Sequence, residues 1–242
     1  MRAIESADMH KAIEPSILYL GTPVVLISTR NSDGTTNVAP MSSAWFLGWG
    51  CMIGLASNSK TPENLLREQE CVLNLPSVAQ VDAVDRLAKT TGTDPVPEWK
   101  AGRGYRHVKD KLGAAGLTAL PSTFVQAPRV AECPIQLEAV LQAHYPFGGF
   151  EPQRPCGQTI ENPFVMTFEL KIVRVHVEEN LLLAGKPNHI DPDQWKPLIM
   201  SFAHFYSLAG GRLMPSTLAE IPEEDYRPSK NMGDAHRPVA SN

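Results

Sequence analysis

The chain has 242 residues, of which 43% are hydrophobic and 20% are charged, and its formal net charge is −4. These values are typical of a soluble globular protein that is long enough to bury a sizeable core. The negative net charge and the lack of a basic run argue against nucleic-acid binding. No apolar run approaches the roughly 18 residues of a membrane helix. The first 15 residues also lack the apolar segment of a secretory signal. We therefore expect a cytoplasmic protein with no membrane partner.

The four cysteines, Cys51, Cys71, Cys133 and Cys156, are widely spaced and form no C-x-x-C pair. Cys51 and Cys71 lie in apolar stretches, where free buried thiols are common. We therefore expect buried thiols rather than disulfides. The histidines also lack the spacing of metal ligands, so no metal site is predicted.

The first part of the chain predicts two hairpins. The turn signal at 31–34 and the Gly-Trp-Gly turn at 48–50 each separate two apolar, extended segments. The strands predicted for these hairpins cover 23–30, 35–40, 45–47 and 51–55. Strands joined by such short connections favour an antiparallel sheet or barrel over a doubly wound parallel sheet.

The remaining elements follow from apolar periodicity and turn residues. The predicted strands are 71–75, 135–144, 164–177 and 202–206. The predicted helices are 61–70, 78–88, 105–115 and a short helix that begins at Asp191. The segments 90–104 and 146–163 are predicted to be loops, and their length indicates that they are either functional or mobile.

The start of the predicted helix 61–70 is crowded with polar side chains. Pro62 suits the first helical position, which predicts Thr61 as the N-cap. A helix start presents unpaired N–H groups and the positive end of the macrodipole. With hydroxyl, amide and ammonium donors added by residues 57–61, this segment has the chemistry of a phosphate site. Most helix starts of this kind nevertheless bind nothing, and neither glycine-rich nucleotide motif is present.

Three blocks of sequence, in this order, resemble the flavin reductase-like family, which includes the flavoredoxins. The first block contains Asn-Val-Ala-Pro at 37–40, Ser-x-Ser-Lys-Thr at 57–61 and Val-Leu-Asn-Leu-Pro at 72–76. The second covers 115–118 and 125–138, and the third covers 173–179, 197–199 and 205–211. The resemblance spans roughly residues 15–212.

The family fold implied by this resemblance is mainly β with peripheral helices, an antiparallel FMN-binding split β-barrel. Residues 1–212 would form the FMN-binding domain. Residues 213–242 would form a C-terminal extension or tail that clasps a partner subunit. Members of the family typically pair into homodimers, with FMN at or near the interface.

The resemblance also implies which residues bind FMN. The phosphate would be held by Ser57, Asn58, Ser59, Lys60 and Thr61, and Asn64 belongs to the same motif. The isoalloxazine ring would be held by Met41, Ser42, Ser43, Ala44 and Trp45, often through backbone groups. His204 and Tyr206 match a ring-proximal segment and are candidates to stack on the flavin or to protonate near it.

The activity implied by the resemblance is that of an FMN-dependent oxidoreductase of the flavin reductase type. Electrons would pass from NAD(P)H through bound FMN to free flavin, a ferric complex or a partner monooxygenase. A non-enzymatic FMN-binding electron carrier is the alternative, and a member that has lost flavin and binds another ligand is a third. No dedicated acid or base is needed for hydride transfer to a flavin, which accounts for the absence of an obvious catalytic motif.

Several of these residues have a structural interpretation as well. Ser42 and Ser43 are typical turn hydroxyls, and Trp45 is as well explained as a core aromatic. Asn74 lies among apolar residues, so it must bridge strands or reach the cofactor. His176 alternates with apolar neighbours, and we expect a structural or surface role for it.

Overall fold

The computed structural model describes residues 10–148, 163–208, 211, 213, 214 and 216–220. Its first strands are β1 (Leu20–Pro23), β2 (Val25–Arg30), β3 (Thr36–Met41), β4 (Ala44–Leu47), β5 (Gly50–Ala56), β6 (Glu70–Leu75) and β7 (Thr90–Thr91). The later strands are β8 (Arg106–His107), β9 (Ala119–Leu120), β10 (Arg129–Val130), β11 (Ile135–Phe147), β12 (Val165–Val177), β13 (Ile199–Ser201) and β14 (His204–Tyr206). The α-helices are α1 (Lys60–Glu68), α2 (Val81–Leu87), α3 (Glu98–Ala101) and α4 (Lys111–Ala115). Three short 3₁₀ helices cover Val78–Gln80, Glu179–Leu181 and Thr217–Glu220.

A seven-stranded sheet in the order β3-β2-β6-β11-β12-β5-β4 forms the framework of the fold. Every neighbouring pair in this sheet is antiparallel. Its two edges, β3 and β4, are consecutive in the chain and are joined only by Ser42 and Ser43. The sheet is not closed, because these edge strands do not pair with each other. The predicted mainly-β fold of the antiparallel split-barrel type is therefore confirmed.

Strand β2 is buried on both faces, which places it at the centre of the core. Val25 and Ile27 point into the interior of the curved sheet, where they join residues such as Phe168 of β12. Leu26 points to the opposite face, where it joins a second cluster with Leu87 of α2 and residues of α4. Apolar burial on both faces explains why residues 25–27 of β2 are continuously apolar rather than alternating with polar residues.

A smaller sheet, in the order β1-β13-β14, lies beside the main sheet. The side chain of Thr22 in β1 donates to the backbone oxygen of Ser42, at 2.5 Å. The β13–β14 hairpin turns at Phe202 and Ala203, and both residues have positive φ angles of 46° and 63°. The predicted strand 202–206 is therefore shorter than expected, because its first two residues form this turn.

Three further expectations about local structure are wrong. The N-cap of α1 is Ser59 and not Thr61, so Pro62 lies within the first turn rather than at its first position. Of the predicted helix 105–115, only α4 is helical, because Arg106 and His107 pair with β7. Asp191 begins a turn and not a helix. In the described part of the chain, no helix has the length and apolarity needed to cross a membrane.

The predicted loops differ from each other in outcome. Segment 90–104 contains β7 and the short helix α3, so it is more ordered than the sequence suggested. Most of segment 146–163 lies outside the described residues, as do Cys156 and most of the tail from residue 213.

Cys51, Cys71 and Cys133 are buried free thiols, as predicted. Burial raises the pKa of Cys51 to about 12, which keeps that thiol protonated and unreactive.

Buried polar residues bridge neighbouring strands and loops. Asn74 donates to the backbone oxygen of Leu26 at 2.9 Å and accepts from the backbone N–H of Val130 at 2.8 Å. The buried Glu138 carboxylate accepts from three consecutive backbone N–H groups at 123–125 and lies 2.6 Å from Nε2 of His176. Asn74 and His176 therefore have structural roles. This is one of the two alternatives given for Asn74 and agrees with the expectation for His176.

Candidate functional site

The start of α1 lies directly after β5, at the end of the main sheet. The chain turns at 57–59, where the backbone N–H of Ser59 donates to the backbone oxygen of Ala56 at 3.1 Å. The Ser59 side chain does not cap its own helix. Its hydroxyl is thus available to another partner at the positive end of the helix dipole.

The residues predicted to bind phosphate divide into buried and accessible side chains. Thr61 and Asn64 are buried, at 3% and 0% exposure. The Thr61 hydroxyl accepts from Asn37 at 3.1 Å, and the Asn64 amide donates to Thr29 at 3.0 Å. These two side chains therefore join α1 to the β2–β3 hairpin. Both side chains therefore have a structural role next to the predicted phosphate site.

The other predicted phosphate residues lie closer to solvent. The Ser57 hydroxyl donates to the backbone oxygen of Pro163 at 2.6 Å, and Asn58 is exposed. The Lys60 ammonium lies 2.8 Å from both carboxylate oxygens of Glu63. Its charge is therefore partly offset within the helix, so a bound anion would compete with Glu63 for it.

Lys100 of α3 is a second cation at this helix start, and the sequence analysis missed it. Its ammonium donates to the Ser59 hydroxyl at 2.9 Å and lies 3.5 Å from the Thr91 hydroxyl. Lys100 is only 7% exposed, and burial lowers its pKa. It has no carboxylate within salt-bridge distance among the described residues. The ammonium also lies 5.3 Å from the centre of the Trp99 ring, but a buried cation without a counterion is costly, so an anion at this helix start would be favourable.

Unpaired polar atoms also surround this site. Within the described residues, buried atoms without a hydrogen-bond partner include Oδ1 of Asn37, Oγ1 of Thr93 and Nε1 of Trp99. Buried polar groups in native proteins are nearly always paired, so these atoms are available to a polar ligand or to water. A Cβ at Gly92 would lie 2.7 Å from the Asn37 oxygen, so only glycine fits the close approach of this loop.

A small polar cavity of about 220 Å³ opens beside Lys60 and Gly92. Asn37 and the β2–β3 turn line one side, and 107–109 line the other. This cavity places the start of α1, the loop after β7 and the segment before α4 around one space. The lining of this cavity therefore comes from parts of the chain that are far apart in sequence.

The loop predicted to hold the flavin ring lies at the open edge of the main sheet. The backbone N–H of Gly54 donates to the backbone oxygen of Ser43 at 2.8 Å, and the Ser43 hydroxyl donates to the backbone oxygen of Gly54 at 2.5 Å. Ala44 is buried, whereas Trp45 is 56% exposed. Trp45 is thus not a core aromatic, and its ring is available to a ligand or a partner.

His204 and Tyr206 lie on the same face of β14, and both are exposed. Through β1 and the contact between Thr22 and Ser42, their sheet adjoins the loop at 41–45. The structure thus brings this sheet and the ring loop together, while the roles of the two side chains stay predictions.

A second and larger cavity, of about 880 Å³, is lined mainly by apolar residues. Phe46, Leu137, Ile172 and Trp195 are among its lining residues. None of the predicted site residues lines it.

Comparisons with known proteins agree with the observed fold. Residues 18–209 match the family model described as flavin reductase like domain. The chain is 38% identical over 198 residues to the uncharacterized protein YdfE of Bacillus subtilis, covering 82% of this chain and 89% of that protein.

Similar solved structures include flavoredoxin of Desulfovibrio vulgaris, with a TM-score of 0.68 and 22% identity over 88% of this chain and 100% of that one. Nitrilotriacetate monooxygenase component B from Bacillus cereus has a TM-score of 0.62 and 21% identity, with 81% and 88% covered. At these identities the solved structures support the fold alone.

Proposed function

Because the chain belongs to the flavin reductase-like family, we propose that it is an FMN-dependent oxidoreductase of the flavin reductase type. In this proposal it passes electrons from NAD(P)H through bound FMN to free flavin, a ferric complex or a partner monooxygenase. A bound flavin accepts a hydride and releases electrons singly or in pairs, and the protein supplies binding, orientation and electrostatics.

The observation that carries the proposal is the buried Lys100 ammonium at the start of α1. The ammonium donates to the Ser59 hydroxyl at 2.9 Å. Ser59 is the N-cap of α1, where the first N–H groups of the helix are unpaired. A phosphate monoester is a dianion near neutral pH, and it needs several donors and a compensating charge. Ser59, Lys60 and Lys100 supply these together, so the residues present fit the phosphate of FMN.

The ring site in this proposal is the loop at 41–45. Its backbone is fixed by the contacts of Ser43 with Gly54 and of Ser42 with Thr22. A fixed backbone can offer N–H and C=O groups to the polar edge of a flavin at little entropic cost. The exposed Trp45 adds apolar contact area, and His204 and Tyr206 are proposed to approach the ring from β14.

A homodimer is also part of the proposal. Large apolar side chains are exposed on the small sheet and on the ring loop, among them Leu20, Trp45, Leu47, Phe202 and Tyr206. Exposed apolar surface of this kind is typical of an interaction site. The C-terminal tail as a clasp on the partner subunit and a cytoplasmic location remain predictions from the sequence.

The first experiment is the absorption spectrum of the purified protein and of its heat-released supernatant. Flavin bands in the supernatant are expected, since the residues provide no covalent attachment in this proposal. A colourless protein that also fails to bind added FMN would contradict the cofactor assignment.

The alternative is an electron carrier without nicotinamide activity, and the similarity to a flavoredoxin structure favours keeping it. Oxidation of NADH and NADPH, followed at 340 nm with and without added flavin, separates the two. Turnover with either nucleotide supports the reductase. A protein that binds FMN but oxidises neither would be assigned as a carrier.

A further inference from the structure

Lys111 is a second buried lysine close to the anion site, and the proposed function gives it no role. It is the first residue of α4 and is only 2% exposed. Among the described residues, it has neither a hydrogen bond nor an ion pair within the usual distances. Burial, with a smaller effect from the nearby charge of Lys100, lowers its pKa to about 7. A lysine in this environment is only partly protonated near neutral pH.

The elements around Lys111 offer no anion to balance its charge. Helix α4 packs against β3, which has no ionisable side chain, and against α2. On α2, Asp82 and Asp85 are exposed, and Arg86 donates to the backbone oxygen of Ala115. The carboxylate of Asp110, next to Lys111, accepts from the backbone N–H of Gly113 at 2.8 Å.

The remaining charged neighbours are mostly cationic. Lys100 of α3 contacts the start of α1. Lys109 and His107 line the polar cavity with Lys60, and the one carboxylate in that lining is Asp33. Asp33 lies 3.9 Å from the Lys109 ammonium, on the exposed side of the cavity. Two buried lysines, Lys100 and Lys111, therefore lie in this region, and none of the described carboxylates named above is buried beside them.

We propose that Lys111 takes up a proton when a phosphate monoester binds at the start of α1, so that binding of the anion and protonation of this buried lysine are coupled. This inference rests on the proposed function and concerns the same site. Without ligand, a charged Lys111 would add a second unbalanced cation beside Lys100. With a dianion in place, the same charge becomes favourable, because the attraction acts through a poorly solvated interior.

The consequence is a pH dependence of FMN affinity that the phosphate itself does not explain. The second pKa of a phosphate monoester is about 6, so above pH 7.5 the ligand is already a dianion. Above that pH, each further pH unit should weaken FMN binding by up to about tenfold, because the concentration of the protons that Lys111 must take up falls tenfold.

Proton uptake is measured by isothermal titration calorimetry of the ligand-free protein with FMN at pH 8. The titration is made in two buffers of different ionisation enthalpy, because the difference in binding enthalpy between them gives the number of protons taken up. The wild type is expected to take up most of one proton per FMN. Lys111→Met preserves the volume of the side chain and is expected to abolish the uptake and flatten the pH dependence. Lys111→Arg, which stays charged, is a second variant and should also bind without uptake. Lys186→Met, at an exposed lysine outside the lining of this cavity, should behave like the wild type.

The outcomes separate this inference from the proposed function. FMN binding with a buffer-independent enthalpy in the wild type would overturn the coupling alone. Uptake that persists in Lys111→Met would assign the proton to another group and overturn it too. Equal uptake on titration with riboflavin, which lacks the phosphate, would show that the phosphate is not the cause. If FMN does not bind at all, both the inference and the proposed function fail.

Discussion

Replacing Lys111 with methionine should change the stability of the ligand-free protein in a pH-dependent way. The pKa of Lys111 is about 7 in the folded protein, against an ordinary value of 10.5. Between these values the unfolded chain binds more protons than the folded one, so the free energy of unfolding of the wild type rises with pH. Below pH 7 the lysine is charged in both states, and the cost of burying the charge is greatest.

The magnitude follows from the same two values. Each pKa unit corresponds to about 1.36 kcal/mol, so the full effect is at most about 5 kcal/mol, and the change between pH 7, where the folded-state lysine is half protonated, and pH 9 is about 2.3 kcal/mol. The methionine variant has no such term. Relative to the wild type, the free energy of unfolding of this variant should therefore fall by about this amount as the pH rises from 7 to 9.

Urea unfolding of both proteins at pH 6, 7, 8 and 9, at one protein concentration and without flavin, tests this prediction. The difference between the two free energies is the quantity of interest, because other groups titrate equally in both proteins. Lys109→Met serves as the control, since the Lys109 side chain is 75% exposed and its removal should leave the difference flat. A constant difference between wild type and Lys111→Met from pH 6 to 9 would refute the reasoning.

Three other variants test separate parts of the structure. Lys100→Met should weaken FMN binding about 10- to 100-fold, since a charge-assisted hydrogen bond contributes about 1.5–3 kcal/mol; unchanged affinity in a fluorescence-quenching titration would place the phosphate elsewhere. Gly92→Ala should lower the free energy of unfolding by about 1–3 kcal/mol, because the new Cβ would lie 2.7 Å from the buried amide oxygen of Asn37; a wild-type denaturation curve would contradict this packing. Glu138→Gln should lower stability by about 2–4 kcal/mol by replacing a carboxylate that accepts from His176 and three backbone N–H groups, and a thermal melt unaffected by the change would argue against those contacts.

Local sequence signals were sufficient to predict most of the β structure. The hairpins around 31–34 and 48–50 form as expected, because glycine and polar turn residues separate segments of strong β propensity. The long strands β11 and β12 also follow their apolar patterns. The predicted N-cap of α1 lies two residues after the observed one, since proline is tolerated in the first turn of a helix and does not mark its first position alone.

The cations of the site could not be predicted from local sequence. Lys100 is 41 residues from Ser59 in the chain, and Lys111 lies further still. A lysine is normally exposed, so nothing in a single sequence marks these two as buried. The pairing of β7 with β8, which brings the segment 90–111 to the helix start, also depends on contacts that no local pattern contains. By contrast, the exposed Trp45 could not be assigned because a single aromatic residue fits a core or a surface equally well.

Strand β5 has a further consequence, because it connects the two halves of the proposed cofactor site. Gly54 is bonded to Ser43 of the ring loop, and the strand ends at Ala56, directly before the turn that leads to Ser59. An extended chain rises about 3.3 Å per residue, so the number of residues in β5 sets the distance between the ring loop and the proposed phosphate site. Inserting one residue after Gly54 would lengthen that distance and turn alternate side chains to the opposite face. Each half of the site could then fold correctly while no single flavin nucleotide reached both.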